Sequence, residues 1–338
     1  MASNTLLSVI IVSYNTSELT LQTLKSVEAE VTHSKLLKDK TVVCVVDNNS
    51  SDSSVAEIKK FKKLSTIPVT LISNTSNKGF GAANNQAIKA TKANYYVFLN
   101  SDTIVQKGGL SRVVSAFQIA EESNPEVTSE LSSEQRKLDK VGIIASTLLN
   151  ADSTHQAQGG DIPSLLSLFS HMFFLDDIPF LGNLLPSTQH TGKSGSVREL
   201  ADSDTSLIPM GWVGGTALFA SKKMLDEIGN FDENMFMYGE DVELCIRARG
   251  HNWDVAIHPE AKIIHLQNMS SSSKNALVGE LLGYLYIWSK HKPLWQTDFA
   301  KSILSIGVLL RIVLFSSIVQ DRHKAAAYKE ALKKIRQF

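Results

Sequence analysis

The first hundred residues alternate between short apolar segments and helix-like segments, with a polar turn between each pair. Residues 6–13, 41–46, 69–73 and 95–99 have strand character. The first of these is an almost unbroken apolar, β-branched run, typical of a strand buried on both faces of a parallel sheet. After it, Leu21, Leu24 and Val27 recur at roughly helical spacing, and Thr16 or Ser17 can cap that helix. This rhythm predicts an α/β fold with a doubly wound, mostly parallel sheet.

Polar residues follow three of these strands directly. The first strand is followed by Tyr14 and Asn15, the second ends at Asp47, and the fourth runs into Asn100 and Asp102. In a doubly wound sheet the ligand crevice lies at the carboxyl ends of the strands. We therefore expect a polar ligand site along this edge.

The composition is that of an ordinary globular protein and not of a nucleic-acid-binding one. Of 338 residues 43% are hydrophobic, and Lys plus Arg and Asp plus Glu number 34 each. This balance gives no basic field and argues against a nucleic-acid partner. The two cysteines do not make a disulfide framework, which fits a reducing compartment such as the cytoplasm.

The two acidic residues at strand ends each have a functional and a structural interpretation. Asp102 can hold Mg²⁺ or Mn²⁺, or it can simply form a turn. Asp47 can accept from a nucleobase or a ribose hydroxyl, or it can close an Asx turn. Gly79 and Gly81 open a helix, where backbone N–H groups can approach a phosphate, although this is neither a Walker A loop nor a dinucleotide fingerprint.

The segment 235–250 carries the densest polar pattern, MFMYGEDVELCIRARG. We expect a helix that starts near Asp241 and ends at Gly250. Glu240 and Asp241 can stabilise that helix at its N-terminus, or one of them can act as a general base. His265, after a strand-like run at 261–264, can be structural or can contact a metal or diphosphate.

Together these segments resemble the family-2 inverting glycosyltransferases of the GT-A fold. The resemblance covers roughly residues 6–270 and rests on five stretches in the same order: SVIIVSYN (8–15), VVDNNSSD (45–52), NKGFGAANNQAI (77–88), FLNSDT (98–103) and 214–250. Among relatives, the chain is most similar to bacterial rhamnosyltransferase-type enzymes of O-antigen, capsule or cell-wall assembly.

The resemblance implies roles for individual positions. The donor, a nucleotide diphosphate sugar, is expected to contact Tyr14, Asn15, Asp47, Asn49, Lys78, Gly79, Asn100, Ser101, Gly215 and Thr216. Asp241, next to Glu240, matches the catalytic base. Asp102 matches the last acid of the Asp-x-Asp metal signature, and His265 matches a histidine that helps to hold metal or diphosphate in some relatives. Asn100 replaces the first acid, which implies weaker dependence on the cation.

The implied reaction is a single in-line displacement. Asp241 takes the proton of an acceptor hydroxyl, which attacks the anomeric carbon, and the nucleoside diphosphate leaves from the opposite face. Two alternatives use similar parts: a sugar nucleotidyltransferase and a non-catalytic nucleotide-sugar-binding module. The turn at 14–17 lacks the glycine-rich basic loop of the former, and retention of both Asp102 and Asp241 argues against the latter.

The chain divides into a GT-A domain at 1–276 and a helical C-terminal tail at 277–338. Within the first, 121–138 reads as a solvated surface insertion. The irregular stretch 161–210, expected on the acceptor side, begins with an apolar part at 161–187 that suits a lid or a helical hairpin closing the core.

The tail contains the apolar run 302–319, interrupted by Arg311 and flanked by basic residues. It can attach to an anionic membrane surface, pack or dimerise as a helix, or span the membrane. An acceptor carried on a lipid, or a polysaccharide, would suit an enzyme bound peripherally at the cytoplasmic face, and a homodimer through the tail is the second possibility.

Overall fold

The computed structural model describes residues 5–122, 140–176, 178, 185, 207–266 and 273–338. Its strands are β1 (Leu7–Ser13), β2 (Thr41–Asp47), β3 (Val69–Ser73), β4 (Tyr95–Asn100), β5 (Thr103–Val105), β6 (Val141–Leu149), β7 (Gly159–Gly160), β8 (Ile208–Pro209), β9 (Trp212–Val213), β10 (Ala217–Ser221) and β11 (Asp254–His265). Its helices are α1 (Ser17–His33), α2 (Ser54–Leu64), α3 (Phe80–Ala90), α4 (Ser111–Glu122), α5 (Leu165–Met172), α6 (Lys222–Ile228), α7 (Glu240–Gly250), α8 (Ser273–His291), α9 (Leu294–Val313) and α10 (Arg322–Gln337).

The described strands build one large mixed sheet, and β7 and β9 pair in a separate two-stranded sheet. The order of the large sheet is β3-β2-β1-β4-β10-β6-β11-β5, and β8 adds to β11. The first four strands are mutually parallel, as are β6 and β11, whereas β10 runs antiparallel between β4 and β6. This confirms the predicted α/β, mostly parallel sheet, with helices on its faces and a helical C-terminal region.

The sheet is buried on both faces because its strands are apolar almost throughout. In β1, Leu7, Val9 and Ile11 enter one apolar core, and Ile10 enters the core on the opposite face. Such alternation follows from the two-residue period of a strand. Burial on both sides is what the unbroken apolar pattern of this strand predicted.

Parallel pairing brings the polar strand ends to one edge. In the β1–β2 register Ser13 lies opposite Asp47, and in the β1–β4 register Val12 lies opposite Asn100. The three turns after these strands therefore lie side by side, as expected from the sequence.

One predicted helix cap was wrong in detail. Thr16 does not cap α1 with its side chain; its hydroxyl donates to Ser101 Oγ at 2.9 Å, and the N–H of Ser17 is met by Asp52 Oδ2 at 3.1 Å. Helix α7 runs from Glu240 to Gly250, as predicted, and the left-handed residue beyond it is Asn252, with φ of 61°. At α1 a side chain from a neighbouring turn, Asp52, therefore meets the donor that local pattern assigned to Thr16 or Ser17.

The C-terminal helices share a third apolar core with the first domain. Trp288 of α8 and Leu304 of α9 lie in this core together with Met235 and Val242 from around α7. The helix α8 begins at Ser273 and so runs across the boundary drawn at 276. The tail is therefore packed against the domain that carries the sequence motifs.

Helix α5, which lies in the 161–210 stretch, also belongs to this third core. Helix α5 buries Leu168 and Met172 there, and the guanidinium of Arg311 donates to the carbonyls of His171 and Met172 at 2.8 and 2.6 Å. Arg311 is thus buried against the end of α5 and not in contact with lipid. Of the predicted insertion, 121 and 122 end α4, and 123–138 lie outside the described residues.

One helical stretch of the described chain, Leu294–Ile318, is long and apolar enough to cross a membrane by length and composition alone. Its last turn, Leu314–Ile318, is π-helical. Only 28% of its most apolar window is buried in the protein.

Candidate active site

Asp241 lies in the first turn of α7 and is held by two backbone donors. The N–H of Gly215 donates to Asp241 Oδ2 at 2.8 Å, and the N–H of Val242 donates to Oδ1 at 2.8 Å. Gly239, which precedes the helix, has φ of 95°, a left-handed conformation that favours glycine. Both carboxylate oxygens are thus fixed by main-chain groups, with lone pairs left for a further partner.

Glu240 is a buried acid beside it. Its Oε2 has no hydrogen-bond partner among the described residues, and the side chain is 5% exposed. Burial raises the pKa of Glu240, and the neighbouring charge of Asp241 raises it further. Burial also raises the pKa of Asp241, but the N–H groups of Gly215 and Val242 favour its charged form. The two main-chain donors therefore favour the charged form of Asp241 over that of Glu240.

A cavity of about 430 Å³ opens in front of these two acids. It extends from Asn100 and Thr216, at the strand ends, past Asp241 to Glu280 and Tyr284 on α8. Gly214 and Gly215 form part of the same wall, where a Cβ on Gly215 would lie 3.2 Å from the Phe80 ring. Of the residues predicted from sequence, this cavity gathers Asn100, Gly215, Thr216, Glu240 and Asp241.

Asp102 and His265 form a second pair of polar side chains, a carboxylate and an imidazole, at the edge where the polar strand ends lie. The β5–β11 pairing places His265 opposite Thr103, and His265 Nε2 lies 3.3 Å from Asp102 Oδ1. That carboxylate is 2% exposed, and its Oδ1 has no hydrogen bond among the described residues. Asp102 and His265 are not among the residues that line the cavity around Asp241.

The tautomer of His265 follows from its other contacts. Its Nδ1 lies 2.8 Å from Gln156 Oε1, while the amide of Gln156 donates to Asn150 Oδ1 at 2.7 Å. The Gln156 oxygen must then accept, so Nδ1 carries a proton, and in the neutral form of the ring it is Nε2, on the side of Asp102, that offers a lone pair. Two acceptor atoms that face each other at 3.3 Å without a proton between them suit a shared cation.

The residues assigned to the nucleoside lie on the β1 and β2 turns. Asp47 is 1% exposed; the N–H of Ser50 donates to its Oδ2 at 3.0 Å, and its Oδ1 has no partner among the described residues. Asn15 accepts from the N–H of Ser51 at 2.7 Å, which ties the two turns together. Asn15 and Asn49 have φ of 55° and 71°. Tyr14 is 40% exposed beside them.

Ser101 and Asn100 are tied to neighbouring elements. The Ser101 carbonyl accepts from Thr23 Oγ1 at 2.9 Å, and its hydroxyl accepts from Thr16. The N–H of Asn100 donates to the Thr216 carbonyl at 3.0 Å. These bonds fix the β4 end between α1 and the 214–216 stretch.

Gly79 has a structural requirement of its own. A Cβ at this residue would lie 2.1 Å from the Phe236 carbonyl oxygen, its φ is 85°, and its N–H already donates to Asn77 Oδ1 at 2.9 Å. Lys78 is exposed, and its N–H contacts Asn48 Oδ1 at 3.3 Å. The 77–80 turn therefore binds the turn before α7, and any phosphate contact would fall to the Lys78 side chain.

Sequence patterns missed Glu280, Tyr284 and Gln156. They lie outside the recognised stretches and come to the site through tertiary packing. One signal was available for α8, namely Gly279 and Gly283 four residues apart, which is the spacing of helices that approach another backbone closely.

Comparisons with known proteins agree with this geometry. Residues 8–127 match the sequence family described as glycosyl transferase family 2. An N-acetylglucosaminyl-diphospho-decaprenol L-rhamnosyltransferase of Mycobacterium tuberculosis is 21% identical over 296 residues, covering 83% of this chain and 86% of that protein.

Solved structures share the fold. GalNAc-T7 with UDP, GalNAc and Mn²⁺ superposes with a TM-score of 0.57 at 14% identity, over 84% of this chain; the chain spans about half of that protein, 48%. The mannosyltransferase PcManGT from Pyrobaculum calidifontis, in complex with GDP-Man and Mn²⁺, superposes with a TM-score of 0.54 at 13% identity. The superposition covers 98% of this chain and 87% of the PcManGT chain.

The mixed sheet, with its polar edge and acid pair, is thus the GT-A type of glycosyltransferase fold. Residues 8–127 are similar to a glycosyl transferase family 2 domain, and the chain as a whole is similar to glycosyltransferases.

Proposed function

We propose that this enzyme transfers a sugar, with inversion, from a nucleotide diphosphate sugar to a hydroxyl group of a lipid-linked or polysaccharide acceptor. The observation that carries the proposal is Asp241, whose charge is fixed by Gly215 and Val242 at the wall of a cavity that reaches the strand ends. A fixed carboxylate facing a space large enough for sugar rings is the arrangement that a general base requires.

Asp241 takes the proton of the attacking hydroxyl. Its two main-chain donors keep it ionised before the reaction, and desolvation by burial makes it a stronger base than an exposed aspartate. Glu240, which keeps its own proton, can donate a hydrogen bond from Oε2 to a sugar oxygen in the cavity. A single displacement needs no covalent enzyme intermediate, so the anomeric configuration inverts.

Asp102 and His265 fit a divalent cation, Mg²⁺ or Mn²⁺. The fit rests on the buried Oδ1 of Asp102, which has no hydrogen-bond partner among the described residues, and on Nε2 of His265, which lies 3.3 Å from it. When bound, the cation neutralises charge on the leaving diphosphate. No group of three His, Cys, Asp or Glu side chains converges within the described ranges, so donor phosphates and water complete such a site.

Asp47, Asn15, Asn49 and Tyr14 would hold the nucleoside. The free Oδ1 of Asp47 can accept from a base N–H or ribose hydroxyl, and exposed Tyr14 can cover the base. The side chain of Lys78 would reach the diphosphate, while Asn100, Ser101, Gly215 and Thr216 would border the transferred sugar. These assignments are supported by the common edge on which the residues lie.

The transferred sugar proposed is rhamnose, and the process is bacterial cell-surface glycan synthesis. The support is the mycobacterial relative, an L-rhamnosyltransferase whose named acceptor is N-acetylglucosaminyl-diphospho-decaprenol. An acceptor held by a polyprenyl chain would keep the enzyme at the cytoplasmic face of the membrane.

We place membrane contact on the exposed side of α9. Trp295, Phe299, Ile306 and Val313 lie on one helix face and are each at least half exposed, at 56, 59, 50 and 58%. The basic residues Arg322, His323 and Lys324 follow and are exposed. An apolar stripe next to positive charge suits the surface of an anionic bilayer.

Vesicle sedimentation tests this contact. The protein should bind vesicles of phosphatidylglycerol and phosphatidylcholine and bind pure phosphatidylcholine less well. Replacing Ile306 and Val313 by Asp should lower binding by at least ~10-fold, because each buried side chain is worth ~1.5–3 kcal/mol. Leu64→Asp, on the exposed end of α2, is the control. If this face of α9 instead forms a dimer, the Asp substitutions should leave vesicle binding unchanged. In that case Ile306→Asp should lower the sedimentation coefficient, because the dimer dissociates.

The main proposal is tested by incubating the enzyme with a panel of nucleoside diphosphate sugars and Mn²⁺. We expect the nucleoside diphosphate to be released in the presence of acceptor. NMR of the product should show an anomeric configuration opposite to that of the donor. Release of pyrophosphate would identify a nucleotidyltransferase. Retention of the anomeric configuration would exclude a single displacement in which Asp241 acts as the general base.

A further inference from the structure

Helix α8 lies in backbone contact with the turn that leads into α7. A Cβ on Gly283 would lie 2.6 Å from the Tyr238 carbonyl oxygen, and one on Gly279 would lie 2.7 Å from the Tyr238 ring. Only glycine allows a helix to approach this closely. The turn and α8 therefore behave as one packed unit.

The far end of α8 is tied to α7 by charge. Glu243 is fully buried and forms ion pairs through its Oε1. Lys290 Nζ lies 2.8 Å from this oxygen, His291 Nε2 3.0 Å and Arg247 Nε 2.8 Å. Burial alone would raise the pKa of Glu243, but these three donors outweigh it and lower the pKa to about 2. The helix is thus fixed at both ends relative to Asp241.

Fixing α8 in this way turns one of its faces into a wall of the cavity. Glu280, Tyr284 and Ile287 follow each other at spacings of four and three residues, and all three line the cavity. These spacings put side chains on one face of a helix. The same cavity is also lined by Asn100 and Thr216 at the strand ends, which are expected to border the donor sugar, so we assign the α8 wall to the acceptor.

The charge of the cavity is one-sided. Its lining holds three acids, Glu240, Asp241 and Glu280, and no Lys, Arg or His among the described residues that form it. Arg311 and His171 act on Glu280 from nearby and oppose the effect of burial, which raises its pKa. An anionic ligand inside this cavity would lose its hydration without meeting a cation.

The remaining lining suits a sugar ring. Phe80, Trp212, Tyr238 and Tyr284 present aromatic surface to the same space. Aromatic faces pack against the C–H side of a pyranose, and carboxyl groups accept from its hydroxyls. The wall therefore offers both kinds of contact that an uncharged sugar makes.

We propose that Glu280 binds a hydroxyl of the acceptor sugar, and that the acceptor ring at this site is an uncharged pyranose. Rings that carry a carboxylate or phosphate are rejected, and the phosphates of a lipid-linked acceptor lie outside the cavity. This inference rests on the transferase function proposed above and names the substrate class of its acceptor.

The test uses the full-length enzyme with its nucleotide sugar, and pairs of aryl glycosides that differ only in oxidation at C6. The pairs are glucoside with glucuronide, galactoside with galacturonide, and N-acetylglucosaminide with its uronic acid. The wild-type enzyme should use at least one neutral glycoside, with a kcat/KM roughly 10-fold or more above that of its uronide. This 10-fold difference corresponds to the free energy of one hydrogen bond to a charged group.

The variant Glu280→Gln isolates the residue. We expect the acceptor KM to rise roughly 10-fold and the preference for neutral rings to shrink, because one acidic group is lost. Donor KM and acceptor-independent donor hydrolysis should stay at the wild-type level. Glu122→Gln, the same change at an exposed position on α4, should alter none of these values.

The outcomes separate this inference from the function on which it depends. Equal use of a uronide and its neutral partner overturns the inference, and so does transfer to none of the neutral glycosides while the donor is hydrolysed. Both results come from the wild-type enzyme and do not require the variant to fold. Consumption of no nucleotide sugar, with or without acceptor, overturns the proposed transferase function itself.

Discussion

The backbone N–H of Gly215 donates to Oδ2 of Asp241 across 2.8 Å, although 26 residues separate them in the chain. This bond joins the stretch that borders the donor sugar to the first turn of the helix that carries the acid. It fixes the direction of the carboxylate without another side chain, so the remaining lone pairs can face a hydroxyl group.

Replacement of Asp241 by Asn should abolish most of the turnover. An amide cannot take the proton of the acceptor, and general-base catalysis contributes typically ~10²–10⁴-fold. The measurement is kcat from nucleotide release, together with thermal unfolding to show that the variant folds. Asp226→Asn, an exposed residue on α6, should retain wild-type kcat. Normal kcat in folded Asp241→Asn would remove Asp241 from the mechanism.

Gln156→Leu should weaken binding of Mn²⁺ with nucleoside diphosphate. The change removes the acceptor that holds the proton on Nδ1 of His265, and such supporting contacts are worth ~10–100-fold in metal affinity. Calorimetric titration measures this without turnover. Gln156→Glu keeps an acceptor and should recover part of the affinity. Equal affinities of wild type and Gln156→Leu would contradict the tautomer assigned to His265.

Glu240→Gln should stabilise the protein increasingly as the pH rises above 4.5, the ordinary value for glutamate. Because the pKa of Glu240 is raised in the fold, its stabilising contribution is present at low pH and is lost as the pH rises through the raised pKa. The neutral amide avoids that loss, which is ~1.4 kcal/mol for each unit of pKa shift. Urea unfolding at a series of pH values measures the difference.

Glu243→Gln provides the comparison of opposite sign. The lowered pKa of Glu243 means that its contribution is present above pH 4.5 and is lost as the pH falls through about 2. This variant should be less stable than wild type at pH 7, with the difference shrinking in acid. If both variants respond to pH with the same sign, the protonation assigned to the α7 acids is wrong.

Gly283→Ala should destabilise the fold by ~1–3 kcal/mol, the range for overpacking, even though alanine favours helices. The added Cβ would lie 2.6 Å from the Tyr238 carbonyl oxygen and would push α8 away from the turn before Asp241. The matched control is Gly250→Ala at the end of α7, where a Cβ meets nothing within 4 Å. That variant should be neutral or more stable by up to ~1 kcal/mol. Equal effects of the two would refute the close packing of α8.

The sheet was predictable because its signals are local. The strands β1 to β4 carry largely apolar runs that end in polar residues, so the placement of Asp47, Asn100 and Asp102 at one edge of the sheet could be predicted from the sequence. Helix ends were less predictable, since the cap of α1 comes from Asp52, on the following β–α turn.

The sequence alone determined the class of fold and the sheet edge at which the polar strand ends lie, because periodicity and turn chemistry depend on neighbouring residues. Only the tertiary structure decided what shares a space with Asp241. Glu280 and Tyr284 reach the cavity because Gly279 and Gly283 let α8 touch a turn some 40 residues earlier, and Gln156 meets His265 across 109 residues. Contacts of this kind, between residues far apart in the sequence, depend on how whole helices and strands pack. No local sequence pattern encodes the distance between two helices.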